Sequence, residues 1–238
     1  MSLSRLDKLI ALNCNVSRKE AREIIKEGKV NVNGRLILRA EELIDTMLDE
    51  VSVKGFDFTL KNHIYIMLNK PAGVITATKD ENKKTVIDLI PPELSRKSLF
   101  PCGRLDKDTT GLLLLTDDGD MCHRIVSPNH CIYKTYIAVL SRPLESADIK
   151  KIESGIILKD GTKCMPAKVR YFTDDYSYFA EIKISEGKYH QVKRMFAAAG
   201  NHVDKLKRIQ IGNLKLDDSL AEGQCREITK EELQLIFE

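Results

Sequence analysis

The stretch GRLDKDTTGLLLLTDDGD, residues 103–120, places five aspartates around four consecutive leucines, and its apolar centre decides the fold. A run this short and unbroken is typical of a strand that is buried on both faces. Further strand patterns occur in IYIML, KTYIAVL, FAEIKI and KLKRIQIG, whereas helical patterns appear in isolation at residues 146–154, 189–199 and 230–237. Runs of strands without a regular βαβ alternation predict an α+β fold with a mixed, mostly antiparallel sheet.

The composition is that of an ordinary globular protein. The 238 residues are 42% hydrophobic and 31% charged, a balance that excludes disorder throughout. No apolar run approaches the length that spans a bilayer, and the N-terminal MSLSRLDKL lacks the apolar core of a secretory signal. We therefore expect a cytoplasmic protein with no membrane association.

Six cysteines are scattered along the chain without a C-x-x-C pair, so we expect them to be reduced. Cys122-His123 and His130-Cys131 form a Cys-His…His-Cys arrangement, but its spacing matches no standard zinc finger. The sequence predicts no metal site.

The first forty residues predict two helices and a hairpin. LDKLIALN has apolar residues at helical spacing, and a second helix begins at an S-x-x-E capping box, Ser17 to Glu20, and stops at Gly28. Asn33-Gly34 lies between two apolar runs and predicts a tight turn. Because this core is too small for an enzyme, we expect a binding appendage.

Basic residues are concentrated in two regions. Residues 1–39 hold nine Lys and Arg against four Asp and Glu, and residues 183–208 hold seven against two. Basic side chains recur at i, i+4, i+8 and i+11 from Arg18, which forms one stripe suited to contact with phosphates. The candidate RNA-binding residues are Arg5, Arg18, Lys19, Arg22, Lys26 and Lys29.

The segment RLDKLIALNCNVSRKEAREIIKEGKVNVNG resembles the S4-type RNA-binding domain, which a ribosomal protein, some tRNA synthetases and RNA-modifying enzymes share. The resemblance covers about residues 3–60 and implies structured RNA as the ligand. We place the boundary near Lys61, which gives an RNA-binding domain over residues 1–60 and a catalytic domain over residues 61–238.

The aspartates of residues 103–120 are expected to have different roles. Asp106-Lys-Asp108-Thr-Thr110 fits the D-x-D-x-T signature of aspartate-dependent phosphatases, but that site needs an apolar strand immediately before it, and PCGRL stands there. We expect Asp108 and Thr110 to hold the loop. The three aspartates at positions 117, 118 and 120 are expected only to turn the chain.

Asp106 differs from the others in its neighbours. Arg104, two residues earlier, is a partner that keeps its carboxylate ionised. Gly103 and Gly111 are expected to allow close approach by a ligand backbone. Spacing alone does not establish catalysis.

The same stretch resembles the catalytic-loop motif of RNA pseudouridine synthases, in the version of the RsuA-like family. Three more blocks fit in the family's order, YIMLNKPAG (Tyr65–Gly73), KTY (Lys134–Tyr136) and ISEGKYHQVKRMFAAAGNHV (Ile184–Val203). With the N-terminal module, the resemblance covers nearly the whole chain. It implies a largely antiparallel sheet with a central cleft.

The resemblance implies that Asp106 is the essential carboxylate, which adds to the base, attacks C1′ or abstracts a ribose proton. Lys193 is implied as its buried cationic partner, with Arg194 as the alternative for that role. Together with Tyr136, Asp106 and Lys193 are the implied catalytic residues, and Arg194 is otherwise expected to bind the substrate.

The remaining implied residues hold the target nucleotide. Tyr136 stacks on the flipped base and is a candidate for proton transfer, and Ile184 packs against the other side of the uracil. Arg104 fills the space that the base leaves and grips phosphate.

The implied reaction is site-specific isomerisation of uridine to pseudouridine in ribosomal RNA. It breaks the N1–C1′ bond and rejoins the base through C5, so it gains no electrons or groups and needs neither a cofactor nor a metal. The absence of a G-x-G-x-x-G motif and a P-loop agrees with this. We expect a monomer whose partner is ribosomal RNA or a ribosomal subunit precursor.

The block ISEGKYHQVKRMFAAAGNHV is more similar to the small-subunit (16S) members of the family, of the pseudouridine-516 type, than to the large-subunit members, which tend toward R-E-V-K-R here. His190-Gln191 is the sharpest difference. A 23S rRNA synthase of the same family is the alternative, because TATKDENKKTVIDLIP follows the family only loosely. A non-catalytic RNA-binding or assembly factor is the alternative from another class, and it would lack the catalytic carboxylate.

Overall fold

The computed structural model describes residues 3–46, 49–56 and 63–238, which belong to two compact units. The first unit comprises Met1–Ile64 and Pro91–Leu99, and the second comprises Tyr65–Ile90 and Phe100–Glu238. The predicted boundary between residues 60 and 61 lies outside the described residues.

The sequence does not predict that Pro91–Leu99 belongs to the first unit. Within that unit, Arg96 Nη2 donates to Asn13 Oδ1 at 3.0 Å, and the backbone amide of Lys97 donates to Asn15 Oδ1 at 3.0 Å. Two polar contacts of this kind leave no periodic signal, so the segment's association is invisible to pattern analysis.

The first unit is built from short elements. In chain order they are β1 (Leu3–Arg5), α1 (Leu6–Asn13), α2 (Arg18–Lys26), β2 (Val30–Val32), β3 (Arg35–Leu36), β4 (Leu43–Asp45) and β5 (Val51–Val53). β1 pairs with β4, and β2 lies between β3 and β5, in each case antiparallel. The core is formed by apolar residues of both helices and by β2 and β5.

The local predictions for this unit are confirmed. The Ser17 hydroxyl accepts from the Glu20 amide at 3.2 Å, and the Glu20 carboxylate accepts from the Ser17 amide at 2.6 Å, which is a complete capping box. Asn33 and Gly34 have φ angles of 50° and 76°, as the two-residue turn between β2 and β3 requires.

The second unit contains a nine-stranded sheet in its described residues. Its strands are β6 (Tyr65–Lys70), β7 (Phe100–Cys102), β8 (Thr110–Thr116), β9 (Lys134–Leu140), β10 (Lys168–Thr173), β11 (Tyr178–Ile184), β12 (Val203–Ile211), β13 (Leu214–Lys215) and β14 (Cys225–Glu227). The order is β10-β11-β9-β12-β8-β6-β14, with β13 beside β12 and β7 beside β8. Only the β12–β8 pair of these described strands is parallel, so the predicted mixed, mostly antiparallel sheet is confirmed.

Four helices accompany the described sheet: α3 (Gly119–Val126), α4 (Ser146–Glu153), α5 (Gln191–Ala198) and α6 (Lys230–Gln234). The last three confirm the predicted helices with shorter bounds. α3 was not predicted, because T-D-D-G-D also suits a turn. Asp118 caps this helix by accepting from the Met121 amide at 3.0 Å, and it accepts from the Tyr65 hydroxyl at 2.6 Å. The expectation that Asp118 only turns the chain is therefore wrong.

The central strand β8 carries the four leucines, all of which are buried. Gly111 at its start has a φ of 97°, and a Cβ atom there would lie 2.2 Å from the carbonyl oxygen of Arg208 on β12. The expectation that Gly111 admits a ligand backbone is therefore wrong, because the backbone that approaches it belongs to the neighbouring strand. Across the described ranges, no helix has the length and apolar character that crossing a membrane requires.

Candidate active site

The loop between β7 and β8, residues 103–109, carries Asp106, and we call it the aspartate loop. Lys70, at the end of β6, is fully buried beneath it. Its Nζ donates to the carbonyl oxygens of Thr109 and Pro71 at 3.0 Å and of Lys107 at 3.3 Å. Burial lowers the pKa of Lys70 to about 8, against the opposing effect of the nearby carboxylates of Asp108 and Asp106.

The other side of the aspartate loop is fixed by the segment after β6. The Thr76 hydroxyl donates to the Leu105 carbonyl at 2.8 Å and accepts from the Leu105 amide at 3.2 Å. The Gly73 amide donates to the Lys107 carbonyl at 2.8 Å. Asp106 therefore lies between two backbone positions that are both clamped.

Asp108 does not brace this loop as expected. Its side chain is 73% exposed, and its carboxylate accepts from Lys193 Nζ at 2.6 Å. That hydrogen bond is the main cause of the lowered pKa of Asp108. Lys70 and Thr76 hold the loop instead, a role that sequence reasoning missed although both lie in or just after the quoted block YIMLNKPAG.

Two basic side chains lie near Asp106 at longer distances. Lys193 Nζ lies 3.8 Å from its Oδ2, and His190 Nε2 lies 3.5 Å from its Oδ1. The Asp106 side chain is 25% exposed and that of Lys193 is 23% exposed, so the pair lies at the edge of solvent rather than deep in the core. Lys193 thus stands between two carboxylates and is closer to Asp108.

In the sequence, His190 stands out only as a residue that differs between small-subunit and large-subunit relatives. Its position beside Asp106 was not predicted. It is the N-cap residue of α5 and has a φ of 46°, a left-handed conformation that is uncommon for residues other than glycine. Its ring stacks on that of Tyr189 with centroids 3.8 Å apart. The helix start and the stacked ring together direct His190 toward the aspartate loop.

A cleft of about 550 Å³ opens in front of Asp106 and is also lined by Arg104, Tyr136, His190 and Arg208. A second space of about 70 Å³ shares Asp106 and Tyr136 and adds Ile184. Tyr136 is 8% exposed and Ile184 is 3% exposed. Four of the predicted site residues, Arg104, Asp106, Tyr136 and Ile184, are thus brought together around one cavity.

Arg194 is not brought to this cavity. Its Nη2 contacts Asp160 Oδ2 at 2.5 Å, and its Nη1 donates to the carbonyl oxygen of Tyr189 at 3.2 Å. It lies one position from Lys193 on α5, and successive side chains of a helix point in different directions. Of the two candidates for the partner of Asp106, Lys193 is the one near it.

The predicted RNA-binding residues of the first unit have an unexpected partner, Asp7. This carboxylate is fully buried and accepts from Arg5 at 3.1 and 3.2 Å, from Arg18 at 2.8 and 2.9 Å and from Arg22 at 3.0 Å. These hydrogen bonds outweigh desolvation and hold the pKa of Asp7 well below its ordinary value. Three members of the set therefore have a structural partner while remaining about half exposed.

The lysines of the set differ from the arginines. Lys29 lies beyond the end of α2 and pairs with Glu27 at 2.6 Å, so it does not continue the helical stripe. Lys19 and Lys26 are exposed on α2, and no ion pair joins them to a carboxylate in the described ranges of the chain.

Comparison with known proteins supports these assignments of family and fold. A family model described as RNA pseudouridylate synthase matches residues 64–198, and an S4 domain model matches residues 4–49. A crystal structure of a pseudouridylate synthase is 40% identical with a TM-score of 0.67, covering 98% of this chain and 99% of the other.

Curated relatives agree over the full length. An uncharacterized RNA pseudouridine synthase of Bacillus subtilis is 44% identical, covering 98% of both chains. The ribosomal small subunit pseudouridine synthase A of Escherichia coli is 41% identical, covering 96% of this chain and 98% of the relative. With its aspartate loop, clamped by buried contacts in front of a single cleft, this chain belongs to the RNA pseudouridylate synthase family and carries an N-terminal S4 domain.

Proposed function

We propose that this protein converts one uridine of small-subunit (16S) ribosomal RNA to pseudouridine, at the position equivalent to 516. The observation that carries the proposal is the carboxylate of Asp106, held at a cleft beside Lys193 and His190, which leave its oxygens without a close hydrogen bond. The relatives named for the small ribosomal subunit, at about 41% identity, support the choice of RNA.

The target uridine enters the cleft after leaving its stack, since the reacting bond is inaccessible within a helix. Tyr136 and Ile184 line the space in which the uracil is held, and Arg104 contacts the adjacent backbone phosphate. Holding the base in a closed space matters because, once detached, it must turn and rejoin the same ribose.

Asp106 is the proposed reacting carboxylate. Lys193 and His190 lie 3.8 and 3.5 Å from its oxygens, distances that leave both oxygens accessible to the nucleotide. Addition to the base, attack at C1′ and abstraction of a ribose proton all need this carboxylate as the reacting group. The reaction is redox-neutral, so we assign it no cofactor and no metal.

The S4 domain is proposed to bind structured ribosomal RNA or a ribosomal subunit precursor and to present the target to residues 61–238. Lys19 and Lys26, together with the exposed faces of Arg5, Arg18, Arg22 and Lys29, supply the positive charge that phosphates require. The proposal includes action as a monomer in the cytoplasm, where ribosomal RNA is modified.

Mapping of pseudouridine in ribosomal RNA tests this function. RNA from cells with and without the gene is compared, and the gene is restored as wild type and as Asp106→Asn. We expect one 16S site to disappear on deletion and to return only with the wild type. Loss of a 23S site instead would establish the large-subunit alternative, and unchanged modification would establish a non-catalytic factor.

A further inference from the structure

Arg208 is a charged residue of the cleft to which the sequence assigns no role. It lies on β12, lines the same space as Asp106 and is only 4% exposed. Its Nε donates to the Leu112 carbonyl at 2.7 Å and its Nη1 donates to the Tyr136 hydroxyl at 3.4 Å. Its Nη2 is one of three buried side-chain atoms that have no hydrogen-bond partner in the part of the chain that the structure describes.

The charge of Arg208 is unbalanced within the described residues, where no carboxylate forms an ion pair with it. Buried arginines are normally paired, because an isolated charge is costly to remove from water. The neighbouring Lys134 is also a cation, and its pKa is lowered to about 8 by burial and then by the charge of Arg208. This wall of the cleft therefore carries positive charge without an anion.

The position of Arg208 is fixed by the sheet. Its backbone pairs with Tyr136 on β9 and with Gly111 on β8, where the missing Cβ permits the close approach. The hydrogen bond to Leu112 then fixes the guanidinium itself. A side chain with a fixed backbone and a hydrogen-bonded guanidinium is suited to holding another group in place.

The proposed reaction produces a negative charge on the uracil when the base is detached in the cleft. Breaking the N1–C1′ bond leaves its electron pair on the base, so the uracil separates as an anion with charge on N1, O2 and O4. The base then joins C1′ through C5, the C5 proton departs and N1 acquires a proton, so atoms and charges balance. An anion that exists only between these bonds is best stabilised by a preorganised positive group.

Tyr136 links the unpaired charge of Arg208 to the uracil anion that the reaction produces. Since its oxygen accepts from Arg208, its own hydroxyl hydrogen is free to point into the cleft and donate to an acceptor there. We propose that Arg208 is a positioning residue that orients the Tyr136 hydroxyl and, through it, stabilises the detached uracil as an anion. This inference rests on the proposed function.

A pair of ligands tests the inference without turnover. 6-Hydroxyuridine monophosphate has a base that is anionic at neutral pH, whereas the base of uridine monophosphate is neutral, and the two share ribose and phosphate. We expect the wild type to bind the anionic base about tenfold more tightly and Arg208→Gln to bind the two within about twofold, by calorimetry. Loss of fold or of the phosphate site weakens both ligands alike and leaves their ratio unchanged.

Three variants provide the matched comparison. Arg208→Lys retains the charge and is expected to keep most of the preference. Tyr136→Phe removes the hydroxyl through which Arg208 acts, so it should also bind the two ligands within about twofold and replaces Arg208→Gln if that variant fails to fold. Arg226→Gln removes an arginine that pairs with Asp217 and Glu232 at 2.6 and 2.7 Å, and it should keep the full preference. Equal preference in wild type and Arg208→Gln would overturn the inference.

Single-turnover release of tritium from C5-labelled uridine in 16S RNA tests the route through Tyr136. Arg208→Gln is expected to slow the reaction about 30-fold with KM changed less than about threefold, and to add nothing to Tyr136→Phe. Multiplying effects in the double variant would exclude the coupling. A wild type that releases no tritium would overturn the proposed function, while the ligand ratio would still decide the role of Arg208.

Discussion

Two carboxylates in this protein lie among basic side chains, and they differ in how many hydrogen bonds they accept. Asp7, in the first unit, is fully buried and accepts five hydrogen bonds of 2.8 to 3.2 Å from three arginines. Asp106, in the second, is 25% exposed, and the nearest basic side chains, His190 and Lys193, lie at 3.5 and 3.8 Å. The oxygens of Asp7 are saturated with hydrogen bonds, and those of Asp106 are not.

The difference separates a structural carboxylate from the one proposed to react. Asp7 lies on α1, and its oxygens accept hydrogen bonds from Arg5 on β1 and from Arg18 and Arg22 on α2. This ion cluster therefore joins β1, α1 and α2. The basic side chains near Asp106 stand back from it and leave its oxygens free for a ligand. Nearby cations alone do not mark an active site, because the distances decide what the carboxylate can do.

Asp106→Asn is the change with the largest expected effect on activity. We expect the isomerisation rate to fall at least about a thousandfold, which corresponds to about 4 kcal/mol of barrier, because the amide cannot act as nucleophile or base. Tritium release from C5-labelled 16S RNA measures the rate, and RNA affinity should change less than about twofold. A variant with full activity would refute the role assigned to Asp106.

Asp7→Asn should show the opposite pattern. Removing the shared anion leaves three arginines facing one another, and we expect the free energy of unfolding of the first unit to fall by about 3 kcal/mol. This lies at the low end of the range for buried pairs because the arginines are 43 to 51% exposed and solvent screens them. Urea unfolding monitored by circular dichroism measures the loss, with Asp106→Asn as the control that keeps wild-type stability.

Local sequence signals predicted much of the first unit and the central strand of the second. The capping box at Ser17, the two-residue turn at Asn33-Gly34 and the four buried leucines of β8 are each specified within a few neighbouring residues. The mixed sheet followed from the sequence of strands and isolated helices. α3 was missed because the same aspartates suit a turn and a helix cap.

The site was predictable only in part. The resemblance indicated Asp106, Tyr136 and Lys193, but Asp7 meets residues 11 and 15 positions away, and Arg208 meets Tyr136 across 72 positions. Such contacts depend on tertiary packing and leave no periodicity in the sequence. The competition of Asp108 for Lys193 is likewise a matter of distance alone.

That competition provides a third prediction. Lys193→Gln should lower the isomerisation rate about 10- to 100-fold, because Asp106 loses the ammonium group that orients its carboxylate at the cleft. Asp108→Asn removes the shorter contact of Lys193 and should change the rate less than about threefold, since the lysine is then free to approach Asp106. Equal losses in the two variants would show that Asp108 takes part in the reaction.

The pH dependence of stability distinguishes the saturated carboxylate further. The pKa of Asp7 is lower in the folded than in the unfolded chain, whose value is 3.8, so its stabilisation is complete above that pH and disappears as the pH falls below it. The difference in unfolding free energy between wild type and Asp7→Asn should therefore be constant from about pH 7 to 5 and shrink from about pH 4 to 2. Urea unfolding across this range measures it, and a constant difference at all pH values would contradict the assignment.

The smallest expected effect concerns RNA binding by the first unit, and the cluster at Asp7 determines how it must be tested. Substituting Arg18 or Arg22 would disturb the ion cluster, so weaker RNA binding would not separate lost contact from lost fold. Lys19→Ala with Lys26→Ala leaves the cluster intact. We expect affinity for 16S RNA to fall a few-fold and the slope of log K against log salt concentration to decrease by about 1 to 2, as for two lost phosphate contacts.

Filter binding at several salt concentrations measures that slope. Lys150→Ala with Lys151→Ala, which removes two lysines from α4 in the second unit, is the control for the change in net charge and should leave the slope nearly unchanged. If both double variants behave alike, the lysines of α2 act only through overall charge. A decrease in slope confined to the α2 variant would assign phosphate contact to Lys19 and Lys26. The three arginines would then keep their structural role as partners of Asp7.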